Sequence, residues 1–471
     1  MKQEKKLGLW LLVFVALGSM IGSGIFNSPK DLIAVANPMG TLLTWIVGGA
    51  GALMLALVFV YLAGKKPHLK SGVYAYAREG FGDYMGFNAA WGYWSLGWLG
   101  NISYFALFFK TLNDFLGVHA LSPLTSFLIG SAILWFFYFI IAAGVREGAI
   151  LNLVVTIAKL LPIVLVIILG ALFIDPAIFN VPNWATELAA TGEATTAGMQ
   201  VKDAMAIVLW CFVGVEAASV MSGRAKNQST VRKATIISLL IVLAVYMLVT
   251  IIAMAAVPAQ VLAESDTPLA VVLGQTAIGG AGSIIVKLGI MVSVMGASLS
   301  WIILSVETLY VAAREGVMPR RFAKVNKHGT PTNALLLTQL ATQLFLFSIL
   351  SPALNETYLM AITIGTTMAL IPYLLSSVFA LKIAFNDANE KWMHRIIALL
   401  GTLYSVYVIY AVGFKYLYLS LLFYAIGVFV YLISCREQNK KPKRWEWALM
   451  YFLIISSVVI ATLLYFGIVQ L

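Results

Sequence analysis

Residues 234–257 read ATIISLLIVLAVYMLVTIIAMAAV, twenty-four residues without one charged side chain. Such a run leaves few folds open. About 20 apolar residues, each rising about 1.5 Å along a helix, match the hydrocarbon core of a bilayer. Inside that core every backbone N–H and C=O needs a partner within the protein, and a single long segment meets that demand only as a helix. Comparable runs lie near 7–36, 39–63, 84–115, 122–144, 148–174, 203–222, 281–313, 333–350, 357–381, 394–413, 416–434 and 447–469. With 61% apolar and 11% charged residues, the chain lies far outside the composition of soluble domains. The expected fold is an all-α polytopic membrane protein, one bundle of thirteen helices over 1–471, or twelve if the last segment does not span. The third and eighth runs are long enough to tilt strongly, and the amphipathic SGVYAYAREGFG at 71–82 reads as a helix lying at the membrane surface.

The basic N-terminus MKQEKK enters a hydrophobic segment longer than a signal-peptide core, with no small-x-small cleavage site behind it, so it is expected to stay attached. With that end in the cytoplasm, the inner loops carry Lys2, Lys5, Lys6, Lys65, Lys66, Lys70, Arg78, Arg146, Arg224, Lys226, Arg232, Lys233, the Arg314–Lys327 group, Lys382, Lys391, Arg395 and the Arg436–Arg444 group. That places 25 of the 31 Lys and Arg on one side, which orients a multi-pass membrane protein with its N-terminus in the cytoplasm. The outer loops carry acids instead, and an odd helix count leaves the C-terminus outside. The net charge of +11 is thereby accounted for by topology and contact with lipid headgroups, and argues against nucleic acid as a partner.

Enzymatic signatures are missing. The cysteines Cys211 and Cys435 make no disulfide framework, and the four histidines are scattered over loops and helix ends. The chain has no metal-ligand spacing, nucleophile elbow, H-E-x-x-H pair or phosphate-binding loop. No enzyme activity, cofactor or metal is expected.

Two runs are interrupted near their middles. GSMIGSGIF (18–26) carries Gly18, Gly22 and Gly24, and WCFVGVEAAS (210–219) carries Gly214 followed by Glu216 and three small residues. Gly18 and Gly22 fit a G-x-x-x-G packing face. They equally fit an unwound stretch, tolerated at membrane depth only where it is buried in protein or lines a cavity. The two interruptions lie five helices apart, hence in helices of opposite direction, and paired breaks in inverted halves point to a transporter's substrate site. This suggests five-helix repeats at 7–174 and 203–381, with 394–469 peripheral. A break of this kind suits an α-amino acid. The N–H groups of Ser23, Gly24 and Ile25 at the start of an outer half-helix favour a carboxylate, and unwound carbonyls around Cys211 to Gly214 favour an ammonium.

GSMIGSGIF, SGVYAYAREGFGDYMGF, YWSLGWLGN, WCFVGVEAASV and REGVMPRRFAKVNKHGTP occur in that order. Together they resemble the basic amino acid/polyamine antiporters of the amino acid–polyamine–organocation superfamily, over residues 7 to 435. The resemblance is greatest to arginine/ornithine antiporters. It implies a five-plus-five inverted-repeat fold with discontinuous first and sixth helices, alternating access, and exchange of an external amino acid for its internal product. Related pairs are lysine/cadaverine, histidine/histamine, tyrosine/tyramine and agmatine/putrescine, and proton-coupled symport is a further mechanism. Family members are often dimers, so the resemblance allows a homodimer, while the sequence itself does not give the oligomeric state.

Position by position, the resemblance implies that Ile21, Gly22, Ser23 and Gly24 form the carboxylate site and that Tyr93 and Asn101 of the third helix face it. Trp210 matches the tryptophan that stacks on a guanidinium, with Cys211 and Gly214 beside it, and Trp301 matches a tryptophan lining the cavity. The third-helix pair that touches the guanidinium in the arginine/agmatine exchanger is Leu96 and Gly97 here, a departure at the distal end of the substrate. Glu216, an acid at mid-span, is assigned to gating, proton response or cation recognition. Lys159 lies too deep to snorkel and resembles the lysine that replaces a sodium ion in sodium-independent relatives, where it bonds to carbonyls of the broken first helix. A cation on an indole face gains about 0.5 to 2 kcal/mol, which suits guanidinium or ammonium substrates at Trp210 and Trp301.

Overall fold

A computed structural model describes residues 6–70, 72–350 and 354–466, without the side chains of 145–152, 354–360, 362, 414 and 415. Lys2, Lys5, Ser71 and the Arg146 side chain, named above, therefore lie outside the described residues, as does the end of the last run. The described residues are almost entirely helical: α1 Leu9–Met20, α2 Ser23–Ile33, α3 Pro38–Lys65, α4 Val73–Phe81, α5 Asp83–Leu116, α6 Pro123–Ala143, α7 Val145–Gly170, α8 Pro176–Phe179, α9 Ala197–Phe212, α10 Ala217–Val220, α11 Gln228–Ala256, α12 Ala259–Glu264, α13 Pro268–Gly274, α14 Gly279–Arg314, α15 Thr332–Leu346, α16 Leu354–Asn386, α17 Trp392–Val412, α18 Phe414–Glu437 and α19 Arg444–Tyr465.

Among them, eleven segments are long and apolar enough to cross a membrane, counting α1 and α2 as one, and α9 with the segment Ala217–Arg224 makes a twelfth bent by 40°. α5 is absent from that set although it has 34 residues. Its sequence is rich in Gly, Trp, Asn and Tyr because protein surrounds it: nearly all of it is buried, mainly against α14 and α16. α19, the segment whose crossing was open, forms a full 22-residue helix against α18.

Local signals set several boundaries. Proline occupies the first turn of α3, α6, α8 and α13, where its missing N–H costs nothing. Ser122, Thr196 and Asn227 cap α6, α9 and α11 by accepting a backbone N–H with the side chain.

One expectation changes. Within this segment Val73–Phe81 form a helix, but Val73 to Ala77 are buried against α5 and α16 rather than laid on a lipid surface. Its apolar face meets protein, an outcome that amphipathic spacing does not distinguish from contact with lipid.

The basic loops converge on one end of the bundle. Leu7 and Ala225 form a parallel bridge, with Leu7 N–H donating to Arg224 O at 2.8 Å and Lys226 N–H to Leu7 O at 3.0 Å. Arg78 pairs with Asp83 and Glu315, Lys440 with Asp83, and Lys65 with Asp387 and Glu390. At the other end Asp266 pairs with Lys30 and Lys110, and Asp114 with Lys287.

Candidate substrate site

The first interruption is real and short. α1 stops at Met20, Gly22 takes φ −132° and ψ −129°, and α2 restarts at Ser23. Gly18 lies inside α1 and Gly22 in the break, so only Gly22 belongs to the unwound stretch. A Cβ at Gly22 would sit 3.0 Å from both Ala297 and the Tyr104 ring, and one at Gly24 would sit 3.0 Å from Tyr246 Oη and 3.1 Å from Cys211 Sγ. The backbone runs too close to its neighbours for a larger residue to enter unopposed.

The carbonyls at the end of α1 are taken up one after another by side chains from three other helices. Lys159 Nζ of α7 donates to Gly18 O at 3.1 Å and to Ile21 O. Trp301 Nε1 of α14 donates to Ser19 O at 3.0 Å, and Tyr246 Oη of α11 donates to Met20 O at 3.0 Å. Lys159 is wholly buried, and a cation at the C-terminal end of a helix meets the negative pole of its dipole. With these acceptors occupied, the break presents mainly donors: the first N–H groups of α2, which have no partner inside that helix. Its net preference is for an anion.

The second interruption spans Val213 to Glu216, between α9 and α10. This shifts one expectation: Cys211 still belongs to α9, and the unwound stretch begins at Val213. Gly214 adopts φ +110°, and a Cβ there would lie 2.6 Å from Ser19 Oγ, so conformation and space both call for glycine. The break places the C-terminal end of α9, its negative pole, beside the N-terminal end of α2, its positive pole, and α2 packs directly on α9.

Side chains join the two breaks. Trp210 Nε1 donates to Ser23 Oγ at 3.3 Å. Glu216, wholly buried, accepts from Tyr93 Oη at 2.7 Å, from Tyr373 Oη and from Gly214 N–H at 3.2 Å. Tyr93 lies 5.7 Å from Trp301, centroid to centroid, and Tyr104 lies 6.4 Å from Trp210. Asn101 is buried with neither side-chain polar atom bonded to protein. Thus Ile21, Gly22, Ser23, Gly24, Tyr93, Trp210, Gly214, Glu216, Trp301 and Lys159 fall in one connected region.

Leu96 and Gly97 separate. A Cβ at Gly365 of α16 would lie 3.7 Å from both Leu96 and the Trp210 ring, so Leu96 is near the indole. A Cβ at Gly97 would collide with Ser305 of α14, so Gly97 serves the close approach of α5 and α14. Sequence reasoning overlooked Tyr246, Tyr373, Tyr104 and Ser19. A usable signal existed for two of them: Tyr246 is the one aromatic residue in LLIVLAVYMLVT and Tyr373 in MALIPYLLSS, and a phenol hydroxyl within an apolar helix calls for a partner in a neighbouring one. Gly100 and Gly365, whose Cβ positions fall 3.5 and 3.7 Å from Trp210, were also passed over.

A family profile described as Amino acid permease matches residues 7–415. The arginine/ornithine antiporter of Pseudomonas aeruginosa is 36% identical over 450 residues, covering 93% of each chain. The arginine/ornithine antiporter of Latilactobacillus sakei is 31% identical over 463 residues, covering 97% of each chain. The profile spans both breaks and most of the bundle: the chain belongs to the amino acid permease family.

Proposed function

We propose that this protein is an amino acid antiporter of a bacterial cytoplasmic membrane, that arginine and ornithine are its exchange pair, and that it works by alternating access. The observation that carries the reading is the polarity of the two breaks. The first offers N–H donors at the start of α2, because Lys159, Trp301 and Tyr246 have claimed the carbonyls of α1. The second offers the backbone of Val213 to Glu216 at the C-terminal end of α9. An α-amino acid presents a carboxylate and an ammonium at the spacing of one carbon, and these two half-helix ends read both.

In this arrangement the carboxylate replaces Trp210 as a partner of Ser23 and bonds to the N–H groups of Ser23 and Gly24. The indole of Trp210 lies over the side chain, whose cationic end gains about 0.5 to 2 kcal/mol on an aromatic face. Trp301 and Glu216 close the site. Glu216 ties α5, α16 and the second break together through two tyrosine hydroxyls, so changing its partners loosens three elements at once. One bundle of helices would then rock against the rest, with 394–469 outside the moving core. The names of the two relatives support the choice of pair.

The test is uptake of labelled arginine by proteoliposomes preloaded with ornithine, competed by a panel of amino acids and amines. Competition by arginine and ornithine above all others is the expected result. Preferential competition by another amino acid and its amine would replace the pair, and no flux under any loading would reject transport.

A further inference from the structure

At the basic end of the bundle, the segment Met221–Arg224 that continues the inner half of the sixth span meets the residues leading into α1. Around this junction four basic side chains converge from four chain segments. Lys6 Nζ donates to Gly223 O at 3.0 Å. The Lys70 stem lies 3.8 Å from the Cβ position of Gly223, and Lys226 Nζ lies 3.9 Å from that of Gly8. Arg232 Nη1 lies 3.4 Å from the Cβ position of Gly64 at the end of α3, and Gln228 of the same turn donates to Pro67 O at 3.2 Å.

All four basic side chains are exposed. No acid lies within ion-pair distance of Lys70, Lys226 or Arg232 among the described residues, whereas Arg78, Lys440 and Lys65 at the same end are paired. A concentration of unpaired positive charge on adjoining segments is costly unless an anion covers it, and at a membrane surface the anion at hand is a lipid headgroup.

We propose that this junction is a binding site for an anionic glycerophospholipid, its phosphodiester held by Lys70, Lys226 and Arg232, and that occupancy sets how readily the basic end opens. The regulatory part rests on the transport reading above. It follows from where the residues sit: the bridge between Leu7 and Ala225 joins the inner halves of both broken spans. A headgroup bridging Lys226 on that junction to Lys70 and Arg232 outside it holds the inner halves against α3 and α11. The generic attraction of basic loops to anionic lipid acts on all of them equally; this site differs in spanning the junction.

The experiment compares the wild type with the triple variant Lys70→Gln, Lys226→Gln, Arg232→Gln. A control triple variant carries Lys327→Gln, Lys441→Gln and Arg444→Gln, exposed residues away from the junction. Purified proteins are titrated with phosphatidylglycerol, and bound lipid is counted by native mass spectrometry. Exchange is then measured in vesicles of phosphatidylcholine with or without 30% phosphatidylglycerol, with the lipid fraction set by design at roughly the range where surface charge matters. The expected result is that affinity for the tightest-bound phosphatidylglycerol falls on the order of tenfold or more in the junction variant and stays near wild type in the control. Flux should respond to phosphatidylglycerol in the wild type and control but not in the junction variant. Equal lipid retention in all three proteins overturns the site. Suppression of lipid binding by millimolar inorganic phosphate would assign it to soluble phosphate instead and overturn the lipid. Loss of flux in every lipid with retention still different would reject transport while leaving the site standing.

Discussion

At the scale of single residues, the site is organised by which backbone groups are already spoken for. Lys159 Nζ donates to both Gly18 O and Ile21 O at the end of α1. Lys159→Ala leaves two buried carbonyls without that donor, at about 1 to 3 kcal/mol each. A lower melting temperature and loss of exchange are therefore expected, in thermal-shift and flux assays, and added sodium should restore neither. Lys159→Gln, which keeps a donor without the charge, should recover much of the stability and little of the flux; full recovery of both would show that the charge is unimportant. Glu216 is a different case, because three donors converge on it. Glu216→Gln keeps an acceptor oxygen but turns an amide N–H₂ towards one of those donors. The fold should survive with a modest loss of stability, while exchange slows by about tenfold, the effect of roughly 1.4 kcal/mol on a barrier, and its dependence on pH changes. Flux across pH 5 to 8 identical to wild type would remove Glu216 from gating.

At the scale of elements, one carboxylate at the end opposite the basic loops ties α2 to α5. Asp266, in the turn between α12 and α13, accepts from Lys30 of α2 at 3.3 Å and from Lys110 of α5 at 2.8 Å. Both pairs are solvated and add about 0 to 1 kcal/mol apiece, too little to hold the fold but enough to bias a gate. Asp266→Asn should leave the melting temperature nearly unchanged. It should speed labelling of a Ser28→Cys reporter, buried on α2, by an external maleimide by about fivefold, the effect of roughly 1 kcal/mol. Equal labelling rates would show that the pairs carry no weight. A second tie joins α3 to the start of α17. The Glu390 carboxylate accepts from Lys65 Nζ at 2.8 Å, His394 Nδ1 at 2.7 Å and Tyr61 Oη at 2.9 Å. The Lys65 bond above all holds its pKa down, to about 2. A depressed carboxyl contributes stability that is complete above the ordinary glutamate range and fades only as pH falls towards the folded value. Glu390→Gln should therefore lower the melting temperature by the same amount at pH 6 and pH 8, where Glu390 is ionised in both folded and unfolded chains. A loss that differs between the two would show that the Glu390 carboxylate is not fully ionised over that range.

How much of this was legible in the sequence follows from the range of each interaction. The spans, and breaks at Gly22 and Gly214, were readable because apolar length and glycine placement are local properties. The partners of the breaks were not: Lys159, Trp301 and Tyr246 reach α1 across 138 or more positions, and residue type alone does not choose among tyrosines. Gly97 illustrates the same limit, since a glycine on α5 serves helix packing as well as it serves a cavity. For the molecule as a whole, the unclaimed polar groups decide what kind of transporter it is. Both side-chain polar atoms of Asn101 are buried without protein partners, and the first N–H groups of α2 have no partner inside that helix. Each costs about 1 to 3 kcal/mol when buried unmet. A bound amino acid offers a carboxylate to these donors and an ammonium to the acceptors, so a loaded protein passes through the closed state more easily than an empty one. Two unmet groups at about 1.5 kcal/mol each, about 3 kcal/mol together, slow the empty passage on the order of a hundredfold. Uptake of labelled arginine into vesicles lacking internal amino acid should accordingly run about a hundredfold slower than into vesicles preloaded with ornithine. Replacing sodium by choline should change neither rate, since side chains already fill the carbonyls of α1. Equal uptake into empty and loaded vesicles would mean that the empty site closes at no cost, and a pH gradient that drives uptake into empty vesicles would show that a proton, rather than a second amino acid, meets those groups.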